Sequence, residues 1–332
     1  MARTSAPINE IAVWPALAQF WHPVAYAHEV TDKPVPLTLL GEEIIVCRLG
    51  KEVQAFADLC VHRGTPLSLG WIEGEEIICA YHGWSYNREG ECTRIPSIPP
   101  EHPIPKRACL TRYPARERYG IVWVCLSDEP RAPVPEYPAY EDPNYHIVIR
   151  DRGLWKCSAA RGIENFIDLG HFSWVHEDIL GTRDLPLTPE MHIERHGEEL
   201  RFHCDCLPDR IHPVAHRRNY RLARPFSIYN WKEQEGADRQ EVLVFLCTPH
   251  TEKECTWFFL IARNYDPDAD KGEGEGQENL YKLILEQDQA IVERQRPEAL
   301  PLDLREELHV KGPDAIALAY RRFLAELGVD VA

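Results

Sequence analysis

The sequence predicts an α+β fold in two domains: an N-terminal antiparallel β domain and a C-terminal domain that combines a sheet with helices. Two observations support this. Residues 20–126 alternate short apolar runs with turn residues, and residues after 145 mix long strand candidates with helical periodicity. A proline-rich stretch without periodicity, residues 131–144, predicts a linker. We therefore expect an N-terminal segment over 1–18 and domains over 19–130 and 145–332.

The predicted β domain consists of short strands joined by tight turns. In P-L-T-L-L-G-E-E-I-I-V-C-R, residues 36–48, two apolar runs flank Gly41, and G-K-E at 50–52 separates the next pair of runs. A glycine followed by charged residues between apolar runs is typical of a hairpin turn. We therefore expect antiparallel hairpins, with longer loops at the tips of this domain.

Composition narrows the class of protein. The chain has 332 residues, 44% hydrophobic and 27% charged, as in ordinary globular proteins. A formal charge of −16 disfavours nucleic acid and anionic membranes as partners. Because there is no membrane-length apolar run and no signal-peptide core near the first residue, we expect a cytoplasmic location. The eleven cysteines are then expected to be mostly reduced.

Two loops of the β domain each carry one cysteine and one histidine. Cys60 and His62 lie in C-V-H-R-G-T, Cys79 and His82 lie in C-A-Y-H-G-W, and 16 residues separate the motifs. Two thiolates can bind one iron of a two-iron, two-sulfur cluster while two imidazoles bind the other, which is the Rieske arrangement. Neutral imidazoles reduce the negative charge of the cluster and raise its potential to roughly −150 to +300 mV. The motifs therefore predict an electron-transfer site.

The competing interpretation is a structural zinc ion on the same four side chains. Zinc fingers usually place like ligands together, as C-x2-C and H-x3-H. Here each loop has one ligand of each type, with Gly64 or Gly83 close behind, and this pattern favours the iron–sulfur cluster. Neither loop has a second cysteine, so a disulfide between the loops is not available.

The C-terminal domain is predicted to contain a sheet covered on both sides, because V-L-V-F-L (242–246) and W-F-F-L-I-A (257–262) have no polar face. The G-E-G-E-G stretch at 272–276 predicts a flexible acidic loop, not a nucleotide fingerprint, because no strand leads into it. Strand candidates are 190–206, with a hairpin turn at 196–199, and 218–231, 240–249 and 254–265; helix candidates are 160–172, 277–296 and 313–327.

A second candidate site lies in E-N-F-I-D-L-G-H-F-S-W-V-H, residues 164–176. On a helix, Asn165, Asp168 and His171 share one side. His176 lies about 140° further round an ideal helix than His171, so the imidazoles converge only if the helix ends or bulges near 172–175. The alternative is a surface helix with two ordinary histidines. The adjacent apolar side would consist of Ile163, Phe166, Ile167, Gly170 and Trp174.

A carboxylate joins this site from the helix predicted near the C-terminus. Asp288 shares a helical face with apolar side chains, whereas Glu286 and Glu293 point elsewhere and are expected in solvent. A carboxylate on an apolar face is costly unless it is paired or bound to a metal. Two histidines and one aspartate form a facial triad that leaves open positions on a ferrous ion. The apolar face would consist of Leu280, Ile284, Ile291 and Val292.

Together these motifs resemble the oxygenase component of the Rieske non-haem iron oxygenases, over almost the whole chain. The matching elements are C-x-H-x16-C-x2-H, N-x-x-D-x-x-H-x4-H and E-Q-D-x-x-I-V-E. The resemblance implies that His171, His176 and Asp288 bind a mononuclear Fe(II). It implies that Asp168 links the two metal centres and that Asn165 is a polar group near the iron. It also implies a Rieske β domain followed by a helix-grip domain, a curved antiparallel sheet with a long helix across it.

The resemblance further implies a head-to-tail homotrimer, in which the 2Fe-2S cluster of one subunit feeds the iron of its neighbour. The chain length resembles the shorter monooxygenase and O- or N-demethylase type, which acts with O2 on small, mostly aromatic substrates. An NAD(P)H-dependent reductase or ferredoxin would supply electrons, since the chain has no flavin or nicotinamide motif of its own. Two alternatives remain open: a ring cis-dihydroxylating dioxygenase, and a Rieske electron carrier without oxygenase chemistry.

The substrate pocket is expected between the sheet and the loops of residues 179–231. Its candidate walls are Phe226, Trp231, Phe245 and Trp257, although each is more typical of a core. The arginines of R-I-H-P-V-A-H-R-R-N-Y-R (210–221) either meet an acidic group of the substrate or are solvated.

Overall fold

The structure, a computed structural model, describes residues 14–234, 238, 240–265 and 274–329. The chain divides into two compact units, Met1–Val134 and Pro135–Ala332. Of the predicted N-terminal segment 1–18, residues 1–13 lie outside the described residues. Within the described residues, no helix is long and apolar enough to cross a membrane.

The proline-rich stretch is not a free linker. It contains a 3-10 turn, Pro138–Tyr140, and the Tyr137 side chain is 1% exposed. The Tyr137 hydroxyl lies 2.6 Å from Ser227 Oγ, and its ring stacks on Tyr229. These contacts attach the stretch to the second unit. The lack of periodicity in its sequence did not predict them.

The first unit consists of short antiparallel strands, as predicted. They form three sheets with the orders β1-β11-β10, β2-β3-β4-β9 and β5-β6-β7-β8. The strands are β1 (His22–Tyr26), β2 (Val35–Leu39), β3 (Glu42–Leu49), β4 (Glu52–Ala57), β5 (Trp71–Glu73), β6 (Glu76–Ile78), β7 (Ser85–Tyr86), β8 (Cys92–Arg94), β9 (Arg112–Tyr113), β10 (Ala115–Arg118) and β11 (Ile121–Val124).

The predicted hairpins are confirmed. The β2–β3 turn places Leu40 and Gly41 at φ 52° and 80°, as in a two-residue type I′ turn, which matches the twist of the flanking strands. The core of this unit includes Ile45, Phe56 and Tyr86, all 0% exposed, and continues directly into the cysteines of the two loops. The loops therefore stand on a rigid base.

The second unit is built on a seven-stranded antiparallel sheet of order β12-β18-β17-β16-β15-β14-β13. Its strands are β12 (His146–Trp155), β13 (His192–His196), β14 (Glu199–Cys206), β15 (His216–Arg224), β16 (Ser227–Glu233), β17 (Glu241–Thr251) and β18 (Glu254–Arg263). Its helices are α1 (Ala159–Ile167), α2 (Phe172–Val175), α3 (Gly274–Val292) and α4 (Ala315–Glu326).

The central strands are buried on both faces, which confirms the prediction from their apolar runs. Nine consecutive residues of β17 and the last seven of β18 are buried. One face carries α1 and α3, because Phe166 stacks on Phe245 at 4.4 Å and Tyr281 lies 5.5 Å from Phe259, the cross-strand neighbour of Phe245. A long helix against an antiparallel sheet is the arrangement that the family resemblance implies.

Several predicted elements differ in extent. The candidate 218–231 is a hairpin of two strands with its turn near Phe226, and β12 was missed because Arg150, Asp151 and Arg152 interrupt its apolar alternation. The helix predicted over 160–172 ends at Ile167. Residues 274–276 of the predicted acidic loop belong to α3, and residues 272–273 lie outside the described residues.

An ion cluster around two buried arginines joins α1 to α4. Arg321 is 2% exposed and donates to both carboxylate oxygens of Glu164 at 2.7 Å and to Glu307 at 2.5 Å. Arg161 donates to the other oxygen of Glu307 at 2.6 Å. Bidentate geometry in a buried site makes each member dependent on the others.

We expect Arg321→Leu to lower the free energy of unfolding by about 3–5 kcal/mol, because buried Arg321 is lost and two half-buried carboxylates would be left with Arg161 alone. Arg322→Leu on the exposed side of α4 is the matched control, with an expected change within about 0.5 kcal/mol. Chemical denaturation followed by tryptophan fluorescence measures both. A change below about 1 kcal/mol in Arg321→Leu would contradict this account of the cluster.

Candidate metal centres and substrate cavity

The two loops with cysteine and histidine fold in the same way. Gly64 N–H donates to the Cys60 carbonyl at 2.9 Å, and Gly83 N–H donates to the Cys79 carbonyl at 3.0 Å. Gly64 and Gly83 have φ values of 70° and 69°, which glycine adopts without strain. The first loop follows β4, and the second connects β6 to β7. This repeat gives the two cysteine–histidine pairs equivalent backbone settings.

The four side chains of these loops suit a cluster with one buried and one exposed end. Cys60 and Cys79 are both 2% exposed, whereas His62 is half-buried and His82 is exposed. The two imidazole centroids are 4.6 Å apart, and His62 stacks on Trp84. His62 Nδ1 is buried without a hydrogen-bond partner among the described residues. An unsatisfied ring nitrogen on a loop whose cysteine is buried fits metal ligation.

Burial raises the pKa of the Cys79 thiol, and the neighbouring Cys60 raises it further. Without a cation, the Cys79 sulfur would therefore tend to stay protonated and unable to act as a thiolate. Bound iron removes this obstacle, because a coordinated thiol is deprotonated. Tyr86 Oη lies 3.1 Å from Cys60 Sγ, close enough for a hydrogen bond that tunes the cluster.

The second candidate site forms where the predicted helix stops. Asp168 caps α1 in an extended conformation, with ψ 134°, and its carboxylate accepts the N–H groups of Gly170 and His171 at 2.9 and 3.2 Å. The chain then turns and makes the single helical turn α2, which separates His171 from His176. The helix that separates the imidazoles ends at Val175, as expected, because His176 leaves the helical conformation with φ −112° and ψ 41°. A further break at 168–171, where Asp168 accepts the backbone N–H groups, separates α1 from α2.

The structure brings His171, His176 and Asp288 together from α2 and α3. Asp288 Oδ1 lies 3.4 Å from His171 Nε2 and 3.0 Å from His176 Nε2. His176 is 0% exposed and Asp288 is 4% exposed, so the alternative of two ordinary surface histidines is wrong. Glu286 is exposed, as predicted. Ile291 and Trp174 were predicted on the apolar helix faces, but their side chains are 46% and 56% exposed.

The hydrogen bonds around this triad leave three acceptors facing one another. His171 Nδ1 lies 2.9 Å from Asp168 Oδ2, and His176 Nδ1 lies 2.8 Å from Gln287 Oε1. Both partners accept only, so each Nδ1 carries the proton and each neutral ring turns the Nε2 lone pair toward Asp288. His176 Nε2 and Asp288 Oδ1 have no hydrogen-bond partner among the described residues. In metal sites the ligand atoms converge in this way, and each histidine donates its other ring N–H to a hydrogen-bond partner outside the site.

Without a metal, a proton takes this place. Burial acts to lower the pKa of His171, but Asp168 and Asp288 outweigh it and raise the pKa to about 9. Burial acts to raise the pKa of Asp288, yet the two imidazoles lower it to about 2. The triad therefore attracts positive charge, and metal binding must displace a proton.

Gln287 is a site residue that the sequence did not reveal. Its side-chain oxygen fixes the tautomer of His176. A glutamine at this position gives no prediction from sequence, because its uncharged amide can equally well be exposed to solvent. Asn165 lies where the resemblance implied, beside the same cavity, and its Nδ2 is buried without a hydrogen-bond partner in the described part of the chain.

The triad opens into a cavity of about 60 Å³, lined by aromatic side chains that include Phe166, Phe172 and Phe259. None of the four expected walls lines it: Phe226, Phe245 and Trp257 are core residues, and Trp231 is half-buried elsewhere. An adjoining groove of about 540 Å³ shares Phe172, Leu180 and Arg218 with the cavity. A ligand that contains an aromatic ring is larger than the inner cavity. It would extend past these three side chains into the groove.

Fold and sites define an oxygenase component with two iron centres, and two domain models agree. The Rieske [2Fe-2S] domain matches residues 20–114, and the Vanillate O-demethylase oxygenase C-terminal domain matches residues 155–330. The chain belongs to the Rieske non-haem iron oxygenases, in their shorter monooxygenase- and demethylase-like type. It therefore uses a Rieske 2Fe-2S cluster and a mononuclear iron, which excludes both the zinc interpretation and the simple electron carrier.

The chain is similar along its length to several proteins of this family. It is 32% identical to methylxanthine N1-demethylase NdmA of Pseudomonas putida, over 94% of this chain and 89% of that protein. It is 30% identical to methylxanthine N3-demethylase NdmB of the same organism, over 95% and 90%. The structure of NdmA with caffeine has a TM-score of 0.85 at 29% identity, covering 94% of this chain and 91% of that one.

Dicamba monooxygenase bound to dicamba has the same fold, with a TM-score of 0.81 at 22% identity, over 94% of this chain and 97% of that one. Other relatives are named as parts of larger systems, such as the oxygenase component of chloroacetanilide N-alkylformylase of Rhizorhabdus wittichii, 28% identical over 77% of this chain and 80% of that protein.

We expect Cys60→Ser and His82→Ala to abolish the visible absorption of the Rieske cluster and all NADH-driven turnover, because each change removes a candidate ligand. Cys109→Ser, which alters a half-buried thiol of the same unit, is the control and should keep the spectrum. An unchanged cluster spectrum in Cys60→Ser or His82→Ala would show that the ligands lie elsewhere.

We expect Asp288→Ala to weaken binding of the mononuclear iron by more than about tenfold while the Rieske spectrum stays normal, since loss of an outer-sphere partner alone costs about 10–100-fold. Glu286→Ala, an exposed carboxylate on the same helix, should bind iron normally. Iron is measured against acid-labile sulfide. Full mononuclear iron occupancy in Asp288→Ala would exclude Asp288 as a ligand.

Proposed function

We propose that this chain is the terminal oxygenase of a demethylating system, acting on an N- or O-methyl group of a small aromatic substrate. The observation that carries this proposal is the triad at one end of a cavity with aromatic walls. The two N-demethylases that are 32% and 30% identical over nearly the whole chain support it. The proposed reaction inserts one oxygen atom of O2 into a methyl C–H bond and reduces the other to water, using two electrons from NAD(P)H. The resulting carbinol then releases formaldehyde.

In this proposal Cys60, His62, Cys79 and His82 hold the 2Fe-2S cluster, and His171, His176 and Asp288 hold the mononuclear iron. When bound, that iron supplies the position at which O2 is activated next to the substrate. The unsatisfied ring nitrogen of the first site and the facing acceptors of the second support these assignments.

The surrounding residues have supporting roles. Asp168 and Gln287 hold the Nδ1 protons of the two histidines, which fixes the rings and makes Nε2 the ligand atom. Asn165 offers an uncommitted N–H to a polar group of the substrate. Phe166 and Phe172 exclude water from the site, which limits loss of reactive oxygen species to solvent.

We further propose a homotrimer in which Asp168 connects the iron of one subunit to the cluster of its neighbour. Asp168 supports this role because its carboxylate holds His171 and is still 36% exposed. His82 supports it from the other unit because it is exposed beside the exposed Tyr81. A reductase or ferredoxin would bring electrons to the same cluster. The eleven free cysteines support a reducing, cytoplasmic setting.

The direct test is a panel of N-methyl and O-methyl aromatic compounds, incubated with the oxygenase, a compatible reductase, NADH and O2. Demethylation yields formaldehyde in proportion to the NADH and O2 consumed. A cis-diol carrying both atoms of labelled O2, without formaldehyde, would instead identify a ring dioxygenase. Consumption of NADH without any oxygenated product across the panel would contradict the proposal.

We expect Asp168→Asn to keep both metal centres and the oligomeric state but to collapse turnover. Asparagine keeps the size of the side chain and removes the negative charge that accepts from His171. Single-turnover experiments on pre-reduced protein follow reoxidation of the Rieske cluster after substrate and O2 are added. Reoxidation at the wild-type rate with normal product yield would show that Asp168 does not connect the centres.

A further inference from the structure

Two of the cysteines that the metal centres do not use face each other at the end of a strand. Cys204 and Cys206 alternate with Asp205 on β14, so their side chains project from the same face of the sheet. Their Sγ atoms lie 3.6 Å apart, close enough for one thiol to donate a hydrogen bond to the other. Cys204 is 0% exposed, whereas Cys206, the last residue of the strand, is half-buried.

The half-buried member of this pair lines the groove that adjoins the substrate cavity. Cys206 lies there with Asp209 and Arg218, and Arg218 also lines the cavity itself. Cys206 lines a second surface pocket together with Arg217 and Glu233. A small molecule in either place can therefore reach Cys206, while Cys204 is enclosed by its burial.

A guanidinium shares this face of the sheet with the two thiols. Arg218 is the direct cross-strand partner of Cys204, and His216 is that of Cys206. Directly paired residues project from the same face of a sheet. Arg218 Nε donates to His216 Nε2 at 3.1 Å, so the guanidinium extends along β15 to the level of Cys206. A positive charge in this position favours the thiolate form of the nearby sulfur.

The two thiols respond to this environment in opposite directions. The hydrogen bond from Cys204 lowers the pKa of Cys206; burial opposes this shift, Arg218 adds to it, and the carboxylates of Asp209 and Asp205 oppose it. The hydrogen bond with Cys206 and then burial raise the pKa of Cys204. The pair therefore favours a thiolate on Cys206 that accepts a hydrogen bond from the Cys204 thiol.

A soft metal ion on the two sulfurs is the competing interpretation, because thiolates select ions such as zinc and copper(I). The nearest imidazole along the sheet register, His216, is already engaged: its Nε2 accepts from Arg218, and its Nδ1 lies 3.1 Å from the Val214 carbonyl. Burial and then Arg218 lower the pKa of His216 to about 4, so the ring adds no charge at neutral pH. The guanidinium also repels a cation. The site therefore suits a nucleophilic thiolate better than a metal.

Neighbouring thiols alone do not produce this chemistry. Cys157 and Cys255 are also neighbours, but both are 0% exposed, and the hydrogen bond with Cys255 and then burial raise the pKa of Cys157. Cys109 is half-buried like Cys206, but its thiol donates to the Leu110 carbonyl at 3.7 Å. Cys206 differs from these in combining exposure, a thiol partner and a guanidinium.

We propose that Cys204 and Cys206 form a redox-active dithiol that reacts with a hydroperoxide. The Cys206 thiolate attacks one oxygen of hydrogen peroxide, the O–O bond breaks, and the sulfur is oxidised to a sulfenic acid. The departing hydroxide takes up the proton that Cys206 had released. The Cys204 thiol then attacks the oxidised sulfur and displaces water, which gives a disulfide. In sum, two thiols and one hydrogen peroxide yield one disulfide and two waters, independently of the demethylase proposal.

This disulfide is expected to be reversible. Alternate Cα atoms of a strand are about 6.4–6.8 Å apart, at the upper end of the span of a disulfide. The sulfurs must also approach from 3.6 Å to about 2.05 Å, which requires movement at the end of β14. A stretched disulfide is more easily reduced. Oxidation also removes the anionic sulfur beside Arg218, so it changes the charge of the groove.

Peptide mass spectrometry of the iron-loaded protein tests the proposal, after treatment with hydrogen peroxide, quenching with catalase and alkylation. We expect the peptide that contains both cysteines to lose two hydrogen atoms at least about tenfold faster than Cys109 is oxidised, because reactivity follows thiolate character and exposure. Dithiothreitol should restore both thiols. Asp288→Ala, which is expected to bind the mononuclear iron weakly, should form the same disulfide at the wild-type rate.

Single variants assign the two roles. Cys204→Ser, or Cys204→Ala if the first does not fold, should stop at a sulfenic acid on Cys206, which dimedone traps. Cys206→Ser should leave buried Cys204 unmodified. Cys109→Ser is the matched control and should form the disulfide as the wild type does. The visible absorption of the Rieske cluster reports that each variant is folded.

Phenylarsine oxide, which binds two adjacent thiols, tests the pairing without an oxidant. One equivalent should stay on the wild-type protein after washing with a monothiol and leave with a dithiol. Neither Cys204→Ser nor Cys206→Ser should retain it, whereas Cys109→Ser should.

Oxidation of Cys109 before the pair would overturn the proposal, as would a trapped sulfenic acid on Cys204 in Cys206→Ser. Retention of the arsenical by either single variant of the pair would also overturn it. A disulfide that forms in the wild-type protein but not in Asp288→Ala would show that the oxidation originates at the iron, which contradicts a direct reaction of Cys206 with peroxide.

Discussion

Three acceptor atoms that face one another in a buried site are the constraint on which the second unit depends. His171 Nε2 and His176 Nε2 lie 3.4 and 3.0 Å from Asp288 Oδ1. Asp168 and Gln287 hold the ring protons on the Nδ1 atoms, away from this point. Such a group is stable only around a cation. The interrupted helix, the single turn of α2 and the position of α3 against the sheet are what this convergence requires of the chain.

The cavity beside the triad has two ends with opposite electrostatic character. The triad offers acceptors that face one another, so it suits a cation, whereas the donors Arg218 and Lys232 at the other end are paired with Asp209 and Glu241. The aromatic side chains between them line the apolar section of the cavity.

Much of the fold and of the two sites could be predicted from sequence, because features with a high energetic cost require particular residues at particular spacings. The Cys60 and Cys79 loops have fixed spacing and obligatory glycines, and Asp288 on an apolar helix face is expensive without a partner. Features that depend on tertiary contacts left no such pattern. Gln287 gives no local signal, the helix break at Asp168 depends on a side chain accepting backbone N–H groups, and Arg218 differs from exposed Arg217 only through strand pairing and burial.

The claim that the facing acceptors hold a metal is tested most directly by counting iron against acid-labile sulfide in the purified chain after anaerobic incubation with Fe(II) and removal of the excess. A Rieske cluster plus an occupied triad gives about three irons and two sulfides per chain. Mild chelation should remove only the third iron and leave the cluster spectrum intact. A ratio that stays at about two irons to two sulfides after reconstitution would contradict the account.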